Sequence, residues 1–201
     1  MATPTMNRKL TIDDILDLRA YERVREESRA AIIETKRKRR VSLGTIVTLM
    51  FENRETMLNQ IHEMLRAEKV VNDELVHEEL KAFNPLIPEP GQLSATLFIE
   101  LTSDDQMREW LPKLVGIERS IVIRLANGDT IRSITEEGHA ETLTRENVTA
   151  AVHYVRFEFT PSQVEEFAKG GVLVTCDLTN YLEAVELAPF AVTELLGDLR
   201  A

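Results

Sequence analysis

Two strand–turn–strand signals in the C-terminal half limit what this chain can fold into. Ser120–Ala126 and Asp129–Thr135 read as strands and flank Asn127-Gly128. An Asn-Gly pair between two β-type runs is the strongest short hairpin signal and predicts a type I′ turn. Val172–Asp177 and Leu182–Leu187 make a second predicted hairpin. Neighbouring antiparallel strands exclude a purely parallel, doubly wound sheet. Helical segments alternate with the strands elsewhere. The expected class is therefore α+β: a mixed or largely antiparallel sheet with packed helices and an N-terminal helical segment.

The remaining elements follow from periodicity and caps. Residues 1–10 are expected to be disordered. Thr11 with Asp14 resembles a capping box, so a first helix is predicted from Ile12, with a break near Tyr21 and continuation to the KRKRR run at Lys36–Arg40. Its apolar line passes through Tyr21, Val24, Ala31 and Ile32. Val41, Leu43, Thr45, Val47, Leu49 and Phe51 alternate as one half-buried strand. A helix pair is predicted over 54–69 and 73–83, the second capped by Asn72 and stapled by Val71 to Val76. Leu75, Val76, Leu80 and Phe83 are its predicted buried stripe. Further strands are predicted over Leu93–Leu101 and Ala151–Phe159. Ser103 and Thr160 are predicted to cap short helices, and a last helix begins near Pro189. Two regions are expected: a helical arm over 1–40 and a single α+β domain over 41–201 that contains the helix pair.

Charge narrows the function classes. Residues 1–83 balance 15 Lys+Arg against 15 Asp+Glu, so the whole net charge of −10 falls in residues 84–201, with 9 against 19. An acidic half repels phosphate backbones, so nucleic acid is not an expected partner. No apolar run approaches the roughly 20 residues of a membrane span, and the N-terminus has no apolar signal-peptide region. The one cysteine, Cys176, sits in the strand-like run VLVTCDL and reads as a small buried side chain. One cysteine fits a reducing cytosol, so the expected location is cytoplasmic.

Candidate chemistry concentrates after Phe51. On the first helix of the pair, Glu55, Asn59, His62 and Arg66 share one flank at i, i+4, i+7 and i+11. An imidazole beside a carboxylate suits proton transfer, which makes Glu55 and His62 candidate acid/base groups. Arg54 would be the anion clamp, with Glu52, Asn53 and Arg66 as further binding residues. His153 is a third catalytic candidate and Arg156 a further binding residue, both from the strand 151–159. The plain alternatives are a helix-surface ion-pair row for the flank and a satisfied core histidine for His153. Glu74 and His77 match ExxH, but di-iron bundles need two such helices, and here the pair lies opposite the apolar stripe. His139 among Glu136, Glu137 and Glu141 reads as an acidic surface loop. No metal and no cofactor is expected. GxGxxG, P-loop, GxSxG and HExxH signatures do not occur.

Three segments together, KRKRRVSLG, then FENRETMLNQIHEMLRAE with NPLIP, then AAVHYVRFEFTP, resemble an uncharacterised bacterial family of about 200 residues, the domain-of-unknown-function family 3501. The resemblance carries no assigned activity and no catalytic residues. It implies a genomic setting beside rubrerythrin-like and iron–sulfur oxidoreductase proteins, and hence a role near peroxide or redox stress. One cysteine cannot itself hold a four-cysteine cluster.

The leading expectation is a non-catalytic cytoplasmic accessory or interaction protein with a redox enzyme as protein partner. The alternative is an enzyme or metal-binding protein with a carboxylate/His/Arg site around Glu52–His62. A small-anion sensor using Arg54 and Arg156 ranks third. Oligomeric state, a homodimer included, is left open.

Overall fold

The computed structural model describes residues 8–135 and 148–200. They form two compact units, each built from discontinuous segments: residues 8–37 with 52–88, and residues 38–51 with 89–135 and 148–200. The first is helical and the second is built on strands.

In the helical unit, Lys9 and Leu10 are held in place, against the expectation of disorder at those positions; residues 1–7 lie outside the described residues. Leu10 is buried. Its N–H donates to Asn84 Oδ1 (2.8 Å), and Asn84 Nδ2 donates back to the Leu10 carbonyl (2.9 Å). Lys9 Nζ donates to the Asn84 and Ile87 carbonyls. The Thr11–Asp14 capping box is real, but it closes only a 3-10 turn over Ile12–Asp14. The long helix α1, Leu18–Arg39, begins six residues later than Ile12 and runs through Tyr21 without a break. Asp17 starts it, accepting from the backbone N–H of Arg19 (2.8 Å) and Ala20 (2.9 Å). Helices α2, Arg54–Glu68, and α3, Asp73–Phe83, fall where the periodicity predicts. Asn53 caps α2 and Asn72 caps α3. Met57, Ile61 and Leu65 are buried on α2, each contributing roughly 1.5–3 kcal/mol by leaving water. The staple fails: Val71 is 86% exposed. The α3 stripe is also thinner than predicted, with Leu80 buried and Leu75 exposed.

The strand-built unit contains two sheets where the sequence suggested one. Strands are β1 (Arg40–Leu43), β2 (Val47–Glu52), β3 (Gln92–Ile99), β4 (Ile121–Arg124), β5 (Thr130–Arg132), β6 (Ile134–Thr135), β7 (Val152–Glu158), β8 (Leu173–Leu178) and β9 (Tyr181–Glu186). One sheet has the order β1-β2-β3-β7-β6 and the other β5-β4-β8-β9. The hairpins β1–β2, β4–β5 and β8–β9 are antiparallel, as are the pairs β3–β7, β4–β8 and β6–β7. Helices α4 (Asp104–Trp110), α5 (Pro161–Phe167) and α6 (Pro189–Arg200) complete it. The α+β class holds.

Three strand predictions change in detail. The run 41–51 is two strands, because Gly44 at φ +70° turns the chain back on itself. Every residue of β2 is then buried. The run 129–135 divides at Ser133: β5 pairs with β4 in one sheet, β6 with β7 in the other. Ser133 supports the switch by donating its N–H to the Ile121 carbonyl and its hydroxyl to the Glu118 carbonyl, both at 2.8 Å. The Asn127-Gly128 hairpin exists, but only Gly128 has positive φ (+93°). With Gly128 N–H bonded to the Leu125 carbonyl and Leu125 N–H to Asp129, it is a three-residue loop ending in an αL glycine.

The inward faces of both sheets share one core, with Leu43, Leu97, Ile121, Phe157, Phe167 and Val174 among its side chains. Cys176 lies in it and burial pushes its thiol up, so the inert reading stands. Arg39 is the exception to the basic run. It is 1% exposed, with Nε on the Phe51 carbonyl, Nη1 on Glu194 and Nη2 on Asp198, whereas Arg37, Lys38 and Arg40 are exposed. A solvated helix end is thus correct for most of the run and wrong for Arg39.

Candidate functional site

In the helical unit, α1 and α2 bring together most of the flank read from the sequence. A cleft of about 420 Å³ lies between them, lined by Glu55, Asn59 and His62 from α2. Helix α1 supplies Tyr21, Ser28 and Thr35. The apolar part of the wall is Leu16, Ala31, Ile32 and Leu58. Two helices crossing as near-antiparallel neighbours explain this: Tyr21 faces His62, and fourteen residues on, Thr35 meets Glu55 (Oγ1 to Oε2, 3.5 Å).

His62 is buried, and its Nε2 accepts the Leu16 backbone N–H at 3.0 Å. That bond places the ring proton on Nδ1. Burial holds the imidazole below its ordinary value, with Glu63 opposing weakly. Near pH 7 His62 is therefore neutral, and the nitrogen bonded to Leu16 is already in use within the protein. The carboxylate beside it is Glu63, which accepts from Tyr21 Oη (2.8 Å) and bidentately from Arg25 (2.8 and 2.9 Å). The Arg25 guanidinium holds Glu63 down to about 2, and burial followed by the Glu63 bond pushes the Tyr21 phenol up to about 12. This Tyr21–Glu63–Arg25 group was not singled out in the sequence. Its signal was Tyr21 on the apolar line of α1, and a partner on another helix is invisible to spacing.

The other candidates have structural partners. Asn53 and Thr56 close a capping box at the start of α2. Arg54 Nη2 pairs with Asp14 Oδ1 at 2.5 Å. Burial alone would raise Asp14, but the Thr11 N–H and Arg54 outweigh it and hold it low. Arg66 leaves the flank and pairs with Glu22 at 2.5 Å. Glu52 is buried at the end of β2. Asn59 differs: its Oδ1 is buried with no hydrogen-bond partner. His77 and Glu74 are exposed, which leaves the ExxH match without a site. His139 and its acidic neighbours lie outside the described residues.

In the strand-built unit, His153 is 3% exposed on β7, as alternation predicted. Its Nε2 contacts Thr149 Oγ1 (2.8 Å) and the Ala150 carbonyl (2.9 Å), the latter as donor. Burial lowers its pKa against the Glu118 carboxylate and the Ala150 bond. Arg156 Nε pairs with Glu158 Oε1 at 3.1 Å. Among the described residues, no group of three or more His, Cys, Asp or Glu gathers as a metal site.

A family model described as protein of unknown function (DUF3501) matches residues 9–199. The chain belongs to this family. A solved relative within reach is a crystal structure of a novel protein of unknown function from Burkholderia pseudomallei K96243, at 36% identity. The match covers 95% of this chain and 99% of that one, with a TM-score of 0.87. No curated protein matches. Among the described residues, no helix is long and apolar enough to cross a membrane.

Proposed function

We propose that this DUF3501 protein is a non-catalytic interaction protein. The observation that carries the reading is the state of its two buried imidazoles. His62 uses Nε2 to hold the Leu16 backbone, and His153 uses Nε2 on the 149–150 turn. Both rings are buried and each has its Nε2 bonded inside the protein, so neither presents that nitrogen to a substrate. Asn53 is engaged in a cap, and Arg54, Arg66 and Arg156 in ion pairs.

Helix α1 supports the interaction half of the proposal. It carries Ile33, 57% exposed on a polar helix, with exposed Arg37 one turn further on the same side and exposed Lys38 next to it. An apolar side chain flanked by a cation suits a partner with an apolar patch rimmed by acids. The redox enzyme implied by the family resemblance is the partner class to test. The buried single cysteine supports a reducing, cytoplasmic location.

The test is affinity capture from the native host with the intact chain, compared with an Ile33→Glu/Arg37→Glu/Lys38→Glu variant. Arg39 is left alone because it is buried. A stoichiometric partner recovered by the wild type and lost with the variant supports the reading. Wild type and variant recovering identical sets, or turnover traced to His62 or His153, overturns it.

A further inference from the structure

In the helical unit, the start of α1 and the end of α2 border a groove of about 680 Å³, within the size range of small-molecule pockets. Four cations line it: Arg19 and Arg23 from the first two turns of α1, and Arg66 and Lys69 from the end of α2. Spacings of i,i+4 and i,i+3 put each pair on one side of its helix. The rest of the lining is Leu18, Ala67 and one carboxylate, Glu22. Glu22 is matched by Arg66 Nε at 2.5 Å, which leaves the two Arg66 Nη groups over. Arg19, Arg23 and Lys69 are exposed, and among the described residues they make no ion pair and no side-chain hydrogen bond. Two acids lie near in sequence without lining the groove. Asp17 accepts the Arg19 and Ala20 N–H groups at the start of α1, and Glu68 is exposed. Lys69 adds a second observation. At φ 55° it is, among the described residues, the only non-glycine in the left-handed region. Glycine is the usual residue there after a helix, and a side chain at that position is strained. The chain thus places a cation at the groove where a glycine would be more stable.

This lining selects a ligand. A cation would meet like charge on both helices. An apolar molecule would find only Leu18 and Ala67 to lie against. An anion with a single charge would leave most of the unmatched cations as they are. Guanidinium forks suit phosphate and carboxylate groups alike, in charge-assisted bonds. We propose that this groove binds a small polyanion, a molecule with two or more phosphate or carboxylate groups, held by Arg19, Arg23 and Lys69 with Arg66 Nη as a further donor. The binding is non-covalent. It uses neither Arg54 nor Arg156, and it is independent of the Ile33–Lys38 face offered to a protein partner.

The test titrates the intact ¹⁵N-labelled chain at about 0.15 M salt, where a Debye length of about 8 Å suppresses diffuse attraction. The probes are triphosphate and citrate, with acetate and spermidine as controls. The expected result is saturable movement of the amide signals of residues 18–23 and 66–69 with triphosphate or citrate, and none with the controls over the same concentrations. Arg19→Gln/Arg23→Gln/Lys69→Gln weakens that binding at least about tenfold, since each exposed charge contact contributes up to about fivefold. Lys36→Gln/Arg37→Gln/Lys38→Gln removes the same charge further along α1 and changes the affinity by about twofold or less. Lys69→Gly separates binding from structure: it melts no lower than the wild type and binds the polyanion more weakly. The proposal is overturned if neither polyanion saturates, if the moving signals lie elsewhere, or if the groove variants bind like the wild type. Equal losses in both triple variants would also overturn it, as general charge attraction.

Discussion

The phenol ring of Tyr21 lies almost parallel to the imidazole of His62, with centroids 4.5 Å apart and planes 17° apart. This stack joins α1 to α2 at the point where Glu63 gathers Tyr21 and Arg25. Replacing Tyr21 by Phe keeps the stack and loses one hydrogen bond to a charged acceptor, a cost of about 1.5 kcal/mol. Replacing it by Ala also removes the burial and should cost about 3–5 kcal/mol. Urea unfolding followed by circular dichroism measures both. Equal losses for the two variants would mean that the stack contributes nothing.

Acid should destabilise the protein in two stages. His62 and His153 have folded pKa values below 6.5, because burial disfavours their charged forms. The unfolded chain then binds more protons below 6.5, so stability is full above that pH and falls as pH drops through it. Each imidazole contributes a slope of at most about 1.4 kcal/mol per pH unit. Glu63 works at lower pH: its stabilisation is present above 4.5 and is lost as pH falls toward about 2. His62→Gln retains an acceptor for the Leu16 N–H and should flatten the first stage. A stability profile that is level from pH 7 to 5 would contradict the assignment.

Arg39 should be the one residue of the basic run that the fold cannot lose. Its guanidinium is buried and bonded to Phe51, Glu194 and Asp198. Removing one partner of a buried ion pair typically costs about 3–5 kcal/mol, so Arg39→Ala should lower the melting temperature sharply. Arg37→Ala, at an exposed i,i+3 pair with Glu34, should change stability by about 0.5 kcal/mol or less. Thermal melts of the two variants side by side decide this.

Gly44 is required for two reasons that act together. Its φ of +70° is costly for any side chain, and a Cβ there would sit 2.5 Å from Tyr181 Oη and 2.6 Å from Glu183 Cδ. Tyr181 cannot easily move, because its hydroxyl donates to the Leu43 carbonyl at 2.6 Å and joins β9 to β1. Gly44→Ala should therefore destabilise by about 1–3 kcal/mol. Pairing it with Tyr181→Phe tests the coupling: the clash and the hydroxyl are neighbours, so the two losses should not add.

Local signals were readable in the chain wherever the cause is local. Asn72, Ser103 and Thr160 cap the helices that they were expected to cap. Both C-terminal hairpins form, and His153 is buried because its strand neighbours on that face are apolar. The flank Glu55–Asn59–His62 faces one cleft, as helical spacing required. Errors arose where a side chain's partner is remote. Nothing in KRKRR marks Arg39 as the residue that meets Glu194 and Asp198, about 155 positions later.

By itself, then, the sequence determined the element types, their order, the antiparallel character and the absence of a phosphate-binding or nucleophile motif. These depend on periodicity, caps and turn residues, whose physics acts within a few positions. Tertiary structure alone decided that the strand 130–135 changes sheet at Ser133 and that Gly44 turns against Tyr181. It also decided that Glu63 gathers Tyr21 and Arg25, that His62 serves the backbone, and that Asn59 Oδ1 is left without a donor. Protonation and hydrogen bonding answer to whichever groups packing brings within about 3 Å, and spacing along one helix does not contain that information.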